Sequence, residues 1–370
     1  MTPTDDARFM KLALALGRRG LGRTWPNPAV GAVIARNDGA GPVIVGRGWT
    51  QPGGRPHAEI EALQRAGEAA RGATLYVTLE PCSHHGKSPP CADAIVAAGV
   101  ARVVSAMVDP NPEVSGAGHW RLAEAGIVVE VGVCAEEAAW AHAGHIRRVR
   151  DGRPHVLLKL AVSADAKAGL AGRRPAAITG EAARARVHGL RVTSDAVLTG
   201  IGTVLADDPL LTCRLPGMAE RSPIRIVLDS ALRLPPESRL AMTARETPLW
   251  VVAGEAVPKE RAEALQQCGA EVLSVESSAG RLDLAAVLRD LAERGITRVM
   301  VEAGPILAAA FLAADLVDET VLLRAPTLIG PDGIDALEGR PLEALTRSPR
   351  LILTGSEAVG ADTIERYERR

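Results

Sequence analysis

Four residues of this chain have the types and spacing for metal-assisted hydrolysis: His57, Glu59, Cys82 and Cys91. Imidazole nitrogen and thiolate sulfur are good zinc donors, and a catalytic zinc keeps three protein ligands so that its fourth position is open to water. Bound zinc brings the pKa of that water from about 15.7 to about 7. A carboxylate close to the metal but not bound to it can then carry the water's proton to a departing amine. Nucleobase deaminases lay out this chemistry as His-x-Glu followed by P-C-x-x-C. Here the first half matches, while Pro81-Cys82 and Pro90-Cys91 stand apart, with Ser83 to Pro90 between the two cysteines.

Taken singly, each residue has a plainer explanation. His57 could open a helix, Glu59 could be a first-turn carboxylate favoured by the helix dipole, and the cysteines could be small buried packing residues. Their combination at loop-to-helix junctions has few structural explanations. One is a closed structural zinc site, which needs a fourth ligand that His84 or His85 could offer. Cys134, Cys213 and Cys268 have no partner pattern and read as packing residues.

The elements that must hold these groups follow from periodicity. Asp5 to Arg19 reads as a helix with Thr4, Asp5 and Asp6 to cap it. Trp25-Pro26-Asn27-Pro28 leads rigidly into a buried strand over 29–35, and Asn37-Asp38-Gly39 signals a hairpin. His57 to Arg71 reads as one helix, Ala73 to Leu79 as a strand that ends at Glu80-Pro81-Cys82, and Cys91 to Ala98 as a helix. A strand over 102–108, a helix over 120–125, a strand over 128–131 and a helix over 136–149 complete a layered α/β series. Arg147 to Pro154 is polar with Gly and Pro and reads as a linker, so the expected domains are residues 1–148 and 149–370. A second alternating series follows, from a strand over 155–162 to a strand over 319–325. The two halves are not repeats of each other, because the His-x-Glu and cysteine signals occur only in the first.

Length and composition set the frame. At 370 residues the chain exceeds one ordinary core, so two domains are expected. With 47% hydrophobic and 24% charged residues it is globular rather than disordered. Aromatic residues are only 2%, so alanine, valine and leucine must fill the cores. A net charge of −1 provides no global field for nucleic acid. No apolar run reaches the roughly 18 residues of a membrane span. Five scattered cysteines argue against a disulfide framework, and the expectation is a soluble protein of the reducing cytoplasm.

Pro26-Asn27-Pro28, Pro56-His57-Ala58-Glu59, the run from Tyr76 to Cys91 with its long spacer, and Asp109-Pro110-Asn111-Pro112 resemble the deaminase half of the bifunctional riboflavin-biosynthesis deaminase–reductases. The resemblance implies a cytidine-deaminase-like three-layer domain with His57, Cys82 and Cys91 as ligands of Zn2+ and Glu59 as proton shuttle. It implies a small phosphorylated pyrimidine as substrate, a diamino-pyrimidinone ribosylamine 5′-phosphate that loses its 2-amino group. Asn27 is a candidate substrate contact, and equally a turn residue.

Lys159 to Asp165, His188 to Arg191, Asp195 to Pro209 and Val301 to Pro305 resemble the reductase half, which implies a dihydrofolate-reductase-like domain and NADPH reduction of ribose to a ribityl chain. The domain has no GxGxxG, but Gly200-Ile201-Gly202-Thr203 and Gly304-Pro305 each follow a strand and open a helix, where backbone amides can hold a pyrophosphate. The family pattern suggests cofactor contacts at Val162, Thr203, Asp207, Ser230 and Gly304, and substrate contacts at Arg191, Leu211, Arg214 and Glu302. Arginine suits the substrate phosphate because its fork bonds in a bidentate way. Lys159 and Asp207 are candidates for the acid of the hydride step. Three positions depart from the pattern: Ala166 where a glycine is usual, Pro175 where a serine is usual, and Ala177 where a tryptophan is usual. They leave open a reductase half with weaker cofactor binding. Rival readings are a zinc deaminase of another nucleoside or of tRNA, and a non-catalytic zinc-binding protein. Self-association into a homo-oligomer such as a dimer also stays open.

Overall fold

Strand β1 (Gly31–Asn37) is buried on both faces through Ala35, and such a strand needs a layer of structure on each side. In this computed structural model, which describes every residue except 40, 85–88, 175 and 279, the chain forms two units, Met1–Gly152 and Arg153–Arg370. The first unit supplies both layers. Its sheet has the order β2-β1-β3-β4-β5, with β2 (Pro42–Trp49), β3 (Thr74–Val77), β4 (Arg102–Ser105) and β5 (Val128–Val131). The hairpin β1–β2 is antiparallel, as Asn37-Asp38-Gly39 predicts, while β3, β4 and β5 are parallel.

Alternate residues point to opposite faces. Ala32, Ile34, Leu75 and Val77 pack beneath α2 (Ala58–Ala66), α3 (Cys91–Ala97) and α4 (Ala117–Glu124), through Ala62, Ile95 and Leu122. Val33, Ala35, Tyr76 and Val104 pack against α1 (Pro3–Gly17) and α5 (Ala135–Ala141), through Phe9, Met10, Ala13 and Ala138. The result is a three-layer α/β/α arrangement.

The caps differ from the expected ones for identifiable reasons. Thr2, not Thr4, caps α1, in a capping box with Asp5. Asp6 is buried instead and accepts from Tyr76 Oη at 2.7 Å and from Arg102 at 2.9 and 2.8 Å, which ties α1 to β3 and β4. The Arg102 guanidinium holds the Asp6 carboxyl below the ordinary range against the effect of burial. The helix expected over 57–71 stops at Ala66, because Gly67 takes φ 52°. The helix expected over 136–149 breaks at His142 into α5 and α6 (Ala143–Asp151), with His142 Nε2 lying 3.1 Å from both Thr78 O and Thr78 Oγ1.

The second unit is built on nine strands in one sheet, in the order β11-β10-β9-β8-β14-β6-β15-β18-β17. These are β6 (His155–Val162), β8 (Ala196–Gly200), β9 (Ile224–Leu228), β10 (Leu249–Ala253), β11 (Glu271–Ser274), β14 (Arg298–Glu302), β15 (Glu319–Arg324), β17 (Leu351–Val359) and β18 (Asp362–Arg369). Two short ribbons complete the strands: β7 (Lys167–Gly169) with β16 (Ile334–Asp335), and β12 (Ser277–Ser278) with β13 (Arg281–Leu282). The helices are α7 (Glu181–Val192), α8 (Ile201–Asp207), α9 (Arg239–Met242), α10 (Lys259–Cys268), α11 (Leu284–Glu293), α12 (Pro305–Ala313) and α13 (Glu343–Thr346). Strands β6 to β15 of the main sheet run parallel, and the antiparallel hairpin β17–β18 extends one edge.

Buried carboxylates pin the strand starts. Asp195 Oδ2 accepts from Thr297 N, Thr297 Oγ1 and Arg298 N at 2.7–2.9 Å, joining the head of β8 to that of β14. The parallel order leaves the C-terminal ends of β6, β8, β9 and β14 side by side, which is where open α/β sheets bind ligands. Among the described residues no helix is long and apolar enough to cross a membrane.

Candidate metal centre and reductase cleft

His57 is the N-cap of α2, with extended φ −69° and ψ 160°, so its side chain sits at the mouth of the helix while Glu59 lies inside the first turn. Cys91 is the first residue of α3, and Pro90 precedes it at the N-cap position without a side-chain cap. Cys82 comes from the loop after β3, and its carbonyl accepts from Ala92 N at 3.1 Å. These three elements bring His57, Cys82 and Cys91 together, one donor atom from each, all within 4.8 Å of one another. His57 Nδ1 is 3.3 Å from Cys91 Sγ and 3.6 Å from Cys82 Sγ, and Cys91 N donates to Cys82 Sγ at 3.3 Å. No other such group of three converges among the described residues.

The charges are arranged for a cation. Hydrogen bonds from Cys91 and His57 hold the Cys82 thiol down to about 4 despite its burial. Cys91 is pushed up, first by the shared hydrogen bond to Cys82 and then by burial. Glu59 is 3% exposed, its Oε2 has no hydrogen-bond partner among the described residues, and burial followed by the Cys82 charge pushes its carboxyl up to about 7. A soft two-sulfur, one-nitrogen donor set beside an unmatched buried acceptor fits zinc with an open fourth position. His84 is described without a contact to this cluster, and His85 lies outside the described residues.

Asn27 sits in a turn whose Nδ2 donates to Gly54 O at 2.9 Å. Gly54 has φ 83°, and a Cβ there would come within 2.6 Å of Asn27 Nδ2, so only glycine allows this docking. The contact fixes the segment that runs into His57 and leaves Asn27 Oδ1 available.

In the second unit Val162, Thr203, Ser230, Glu302 and Gly304 all lie at the C-terminal ends of the parallel strands or just beyond them. Gly304 N donates to Thr203 Oγ1 at 3.1 Å, which locks the start of α12 to α8. Asp207 is exposed at the last residue of α8, and Leu211 is buried at φ 55° just after it. Arg191 does not present an open fork. Its Nε and Nη2 donate to the two Glu302 oxygens at 3.0 Å each, and its Nη1 donates to Thr212 O at 2.7 Å. Lys159 Nζ is 3.6 Å from Glu302 Oε1, on the neighbouring strand in register. Burial would raise the Glu302 carboxyl, but Lys159 and Arg191 outweigh it and hold it below the ordinary range. Arg214 is exposed, and its guanidinium has no ion-pair partner among the described residues.

Of the three departures, Pro175 lies outside the described residues and Ala177 is exposed. Ala166 has φ 61°, in the left-handed region that costs an ordinary residue about 1–2 kcal/mol. The turn holds because Asp165 accepts from Ser163 Oγ, Ile329 N and Gly330 N at 2.6–3.1 Å. Ala166→Gly should therefore raise stability by about 1 kcal/mol in urea unfolding; a loss would show that the Ala166 methyl packs usefully. The residue that sequence reasoning missed is Glu80, whose carboxylate is buried behind the Cys82 loop.

Two family descriptions match the chain: the cytidine and deoxycytidylate deaminase zinc-binding region over residues 3–107, and the RibD C-terminal domain over residues 154–364. The Escherichia coli riboflavin biosynthesis protein RibD is 44% identical, over 97% of this chain and 98% of its own. The chain belongs to the RibD family. The Aquifex aeolicus RibD is 42% identical over 88% of each chain. Acinetobacter baumannii RibD superposes with a TM-score of 0.87 at 37% identity, each chain covered in full. A Thermotoga maritima diaminohydroxyphosphoribosylaminopyrimidine deaminase/5-amino-6-(5-phosphoribosylamino)uracil reductase superposes at 0.84 with 34% identity, over 100% of this chain and 99% of its own. RibD chains are enzymes that join a zinc-binding deaminase half to an NADPH-using reductase half, and both halves are present here.

Proposed function

We propose that this chain deaminates a diamino-pyrimidinone ribosylamine 5′-phosphate in its first unit and reduces the deaminated product's ribosyl group to a ribityl chain in its second. The observation that carries this reading is the convergence of His57, Cys82 and Cys91 within 4.8 Å beside Glu59, whose Oε2 has no hydrogen-bond partner among the described residues. Zinc, when bound by those three, supplies the Lewis acidity that lowers the pKa of water to about 7. Glu59 takes the proton of the attacking water and returns it to the departing amine. The His57 N-cap geometry and the Asn27–Gly54 contact fix the imidazole's approach, and Asn27 Oδ1 is left to accept from the substrate.

In the second unit NADPH, when bound, supplies the hydride. Val162, Thr203, Asp207, Ser230 and the Gly304 turn are the proposed cofactor contacts. Glu302 is oriented by Arg191 and charge-balanced by Lys159, so it can accept hydrogen bonds from the substrate without becoming protonated. Leu211 shapes the substrate side. Because the Arg191 fork is occupied, the substrate phosphate falls to Arg214. Arg214→Ala should raise the reductase KM about tenfold while leaving kcat nearly unchanged, the pattern of a group that binds ground and transition states alike. A fall in kcat at constant KM would remove Arg214 from that role.

The near-neutral charge supports a free small-molecule substrate over nucleic acid, and the five free cysteines support a reducing, cytoplasmic setting. A homo-oligomer such as a dimer is compatible with the exposed edge strand β17. The test of the whole reading is one sample assayed for zinc, ammonia release and NADPH oxidation. All three are expected, and NADPH oxidation without ammonia release would reject the proposed order.

A further inference from the structure

We propose that Glu80 is a positioning residue of the metal centre, the group that sets where Cys82 sits. This rests on the reading of His57, Cys82 and Cys91 as the zinc ligands. His57 and Cys91 are rooted at helix starts, whereas Cys82 stands in a loop and depends on what fixes that loop. Glu80 is two residues away, with a side chain that is 0% exposed. A buried carboxylate is costly unless it is compensated, and here four backbone amides do so. Oε2 accepts from Asp109 N at 3.1 Å and Gly116 N at 2.9 Å, and Oε1 accepts from Gly118 N at 2.8 Å and His119 N at 3.3 Å.

Two of the donors belong to the loop between β4 and α4 and two to the first turn of α4, so the carboxylate welds that loop and helix start to the segment that follows β3. The weld is reinforced at the next residue. A Cβ on Gly118 would lie 1.9 Å from Pro81 O, so the α4 backbone is seated directly against the peptide that leads into Cys82. Downstream, Ala92 N holds Cys82 O and Cys91 N holds Cys82 Sγ. Cys82 is thus clamped between Glu80 on one side and α3 on the other, and Pro81 between them has its φ fixed. Asp109, one of the four donors, is itself held through Oδ1 by His145 Nε2 at 2.9 Å, which anchors the clamp to α6.

A purely structural Glu80 would matter only for folding; a positioning Glu80 matters for the metal. Glu80→Gln keeps the shape but turns one oxygen into an N–H donor facing two N–H donors. Metal affinity, measured by chelator competition, should fall about 10–100-fold, as for the loss of an outer-shell partner. The thiolate-to-metal band of the cobalt-substituted protein should shift with it. Gly118→Ala pushes on Pro81 from the other side and should give the same two changes, which keeps the test open should Glu80→Gln fail to fold. Met10→Ala, in the core on the opposite face of the sheet, is the control: it should lower the melting temperature and leave affinity and band alone. Wild-type affinity and an unshifted band in the Glu80 or Gly118 variant would overturn the inference while leaving the zinc site standing. If instead His57→Ala kept full cobalt affinity, the ligand assignment itself would be overturned, and the inference with it.

Discussion

Glu59→Gln should lower the rate of ammonia release by about 10²–10⁴-fold with zinc content unchanged, the usual contribution of a positioned general acid–base. Glutamine keeps the volume and one acceptor oxygen, so the first turn of α2 and the His57 N-cap are undisturbed. What it cannot do is take a proton. Glu59 is 3% exposed and its Oε2 has no hydrogen-bond partner among the described residues, so that oxygen is not already engaged by a neighbour. NADPH oxidation with the deaminated product supplied directly should be unaffected. The metal-free protein offers a second check with a definite sign. Burial raises the Glu59 carboxyl from 4.5 to about 7, so the folded state holds that proton more tightly than the unfolded chain does. Its ionisation therefore weakens the metal-free fold as pH climbs from 4.5 towards 7. Metal-free Glu59→Gln lacks this loss and should be the more stable of the two proteins above pH 7. Full deamination by Glu59→Gln would reject the proton-shuttle role outright.

What could be read from the sequence depended on whether neighbours in the chain were also neighbours in space. His57 and Glu59 share one helix turn, Cys82 and Cys91 each follow a proline, and Cys91 opens a helix, so the candidate metal centre is visible in local pattern. The Cys82–Cys91 spacer, which looks like a fault in a generic deaminase motif, is one of the features on which the resemblance to the family rests. Glu80 was invisible for the opposite reason. Its partners are four backbone amides from residues 109–119, and backbone donors leave no mark in side-chain spelling.

The hairpin β17–β18 was missed because β17 is buried only at Leu351 and Val359 and exposed at every residue between. A strand without an inner face lacks the period-two signal on which strand reading relies. The helix ends erred at Gly67 and His142. In the first case a left-handed glycine stops a pattern that continues in the sequence. In the second the long-range contact to Thr78 breaks it. Arg191 shows the subtler limit. Its type suggested a phosphate fork, but Glu302, 111 residues further on, occupies that fork.

That occupied fork makes Glu302→Gln the most damaging single change expected in the second unit. The side chains of Glu302, Arg191 and Lys159 are 17%, 8% and 16% exposed, so the cluster is largely removed from water. With the carboxylate gone, Arg191 and Lys159 are left as two cations close together without their anion. Removing one partner of a buried pair costs about 3–5 kcal/mol, and partial exposure here lowers the expectation to about 2 kcal/mol. The sign of the pH dependence follows from the depressed Glu302 pKa. The ion cluster contributes in full above the unfolded value of 4.5, and its contribution is lost as pH falls through the lower folded value. The wild type should therefore lose stability on the acid side in a way that Glu302→Gln does not. Reductase kcat/KM should drop by about 10²-fold or more, because the proposed substrate acceptor and the orientation of Lys159 go together. Ammonia release by the same preparation should be normal, which separates a damaged cleft from a chain that has failed to fold. Arg191→Met gives the complementary case: Glu302 keeps its charge but loses its bidentate partner, so the reductase should fall less while stability falls at least as far. If the two variants instead lost reductase activity equally and the double variant lost no more, Glu302 and Arg191 would be acting as one unit, and the separate substrate role given to Glu302 would have to be withdrawn.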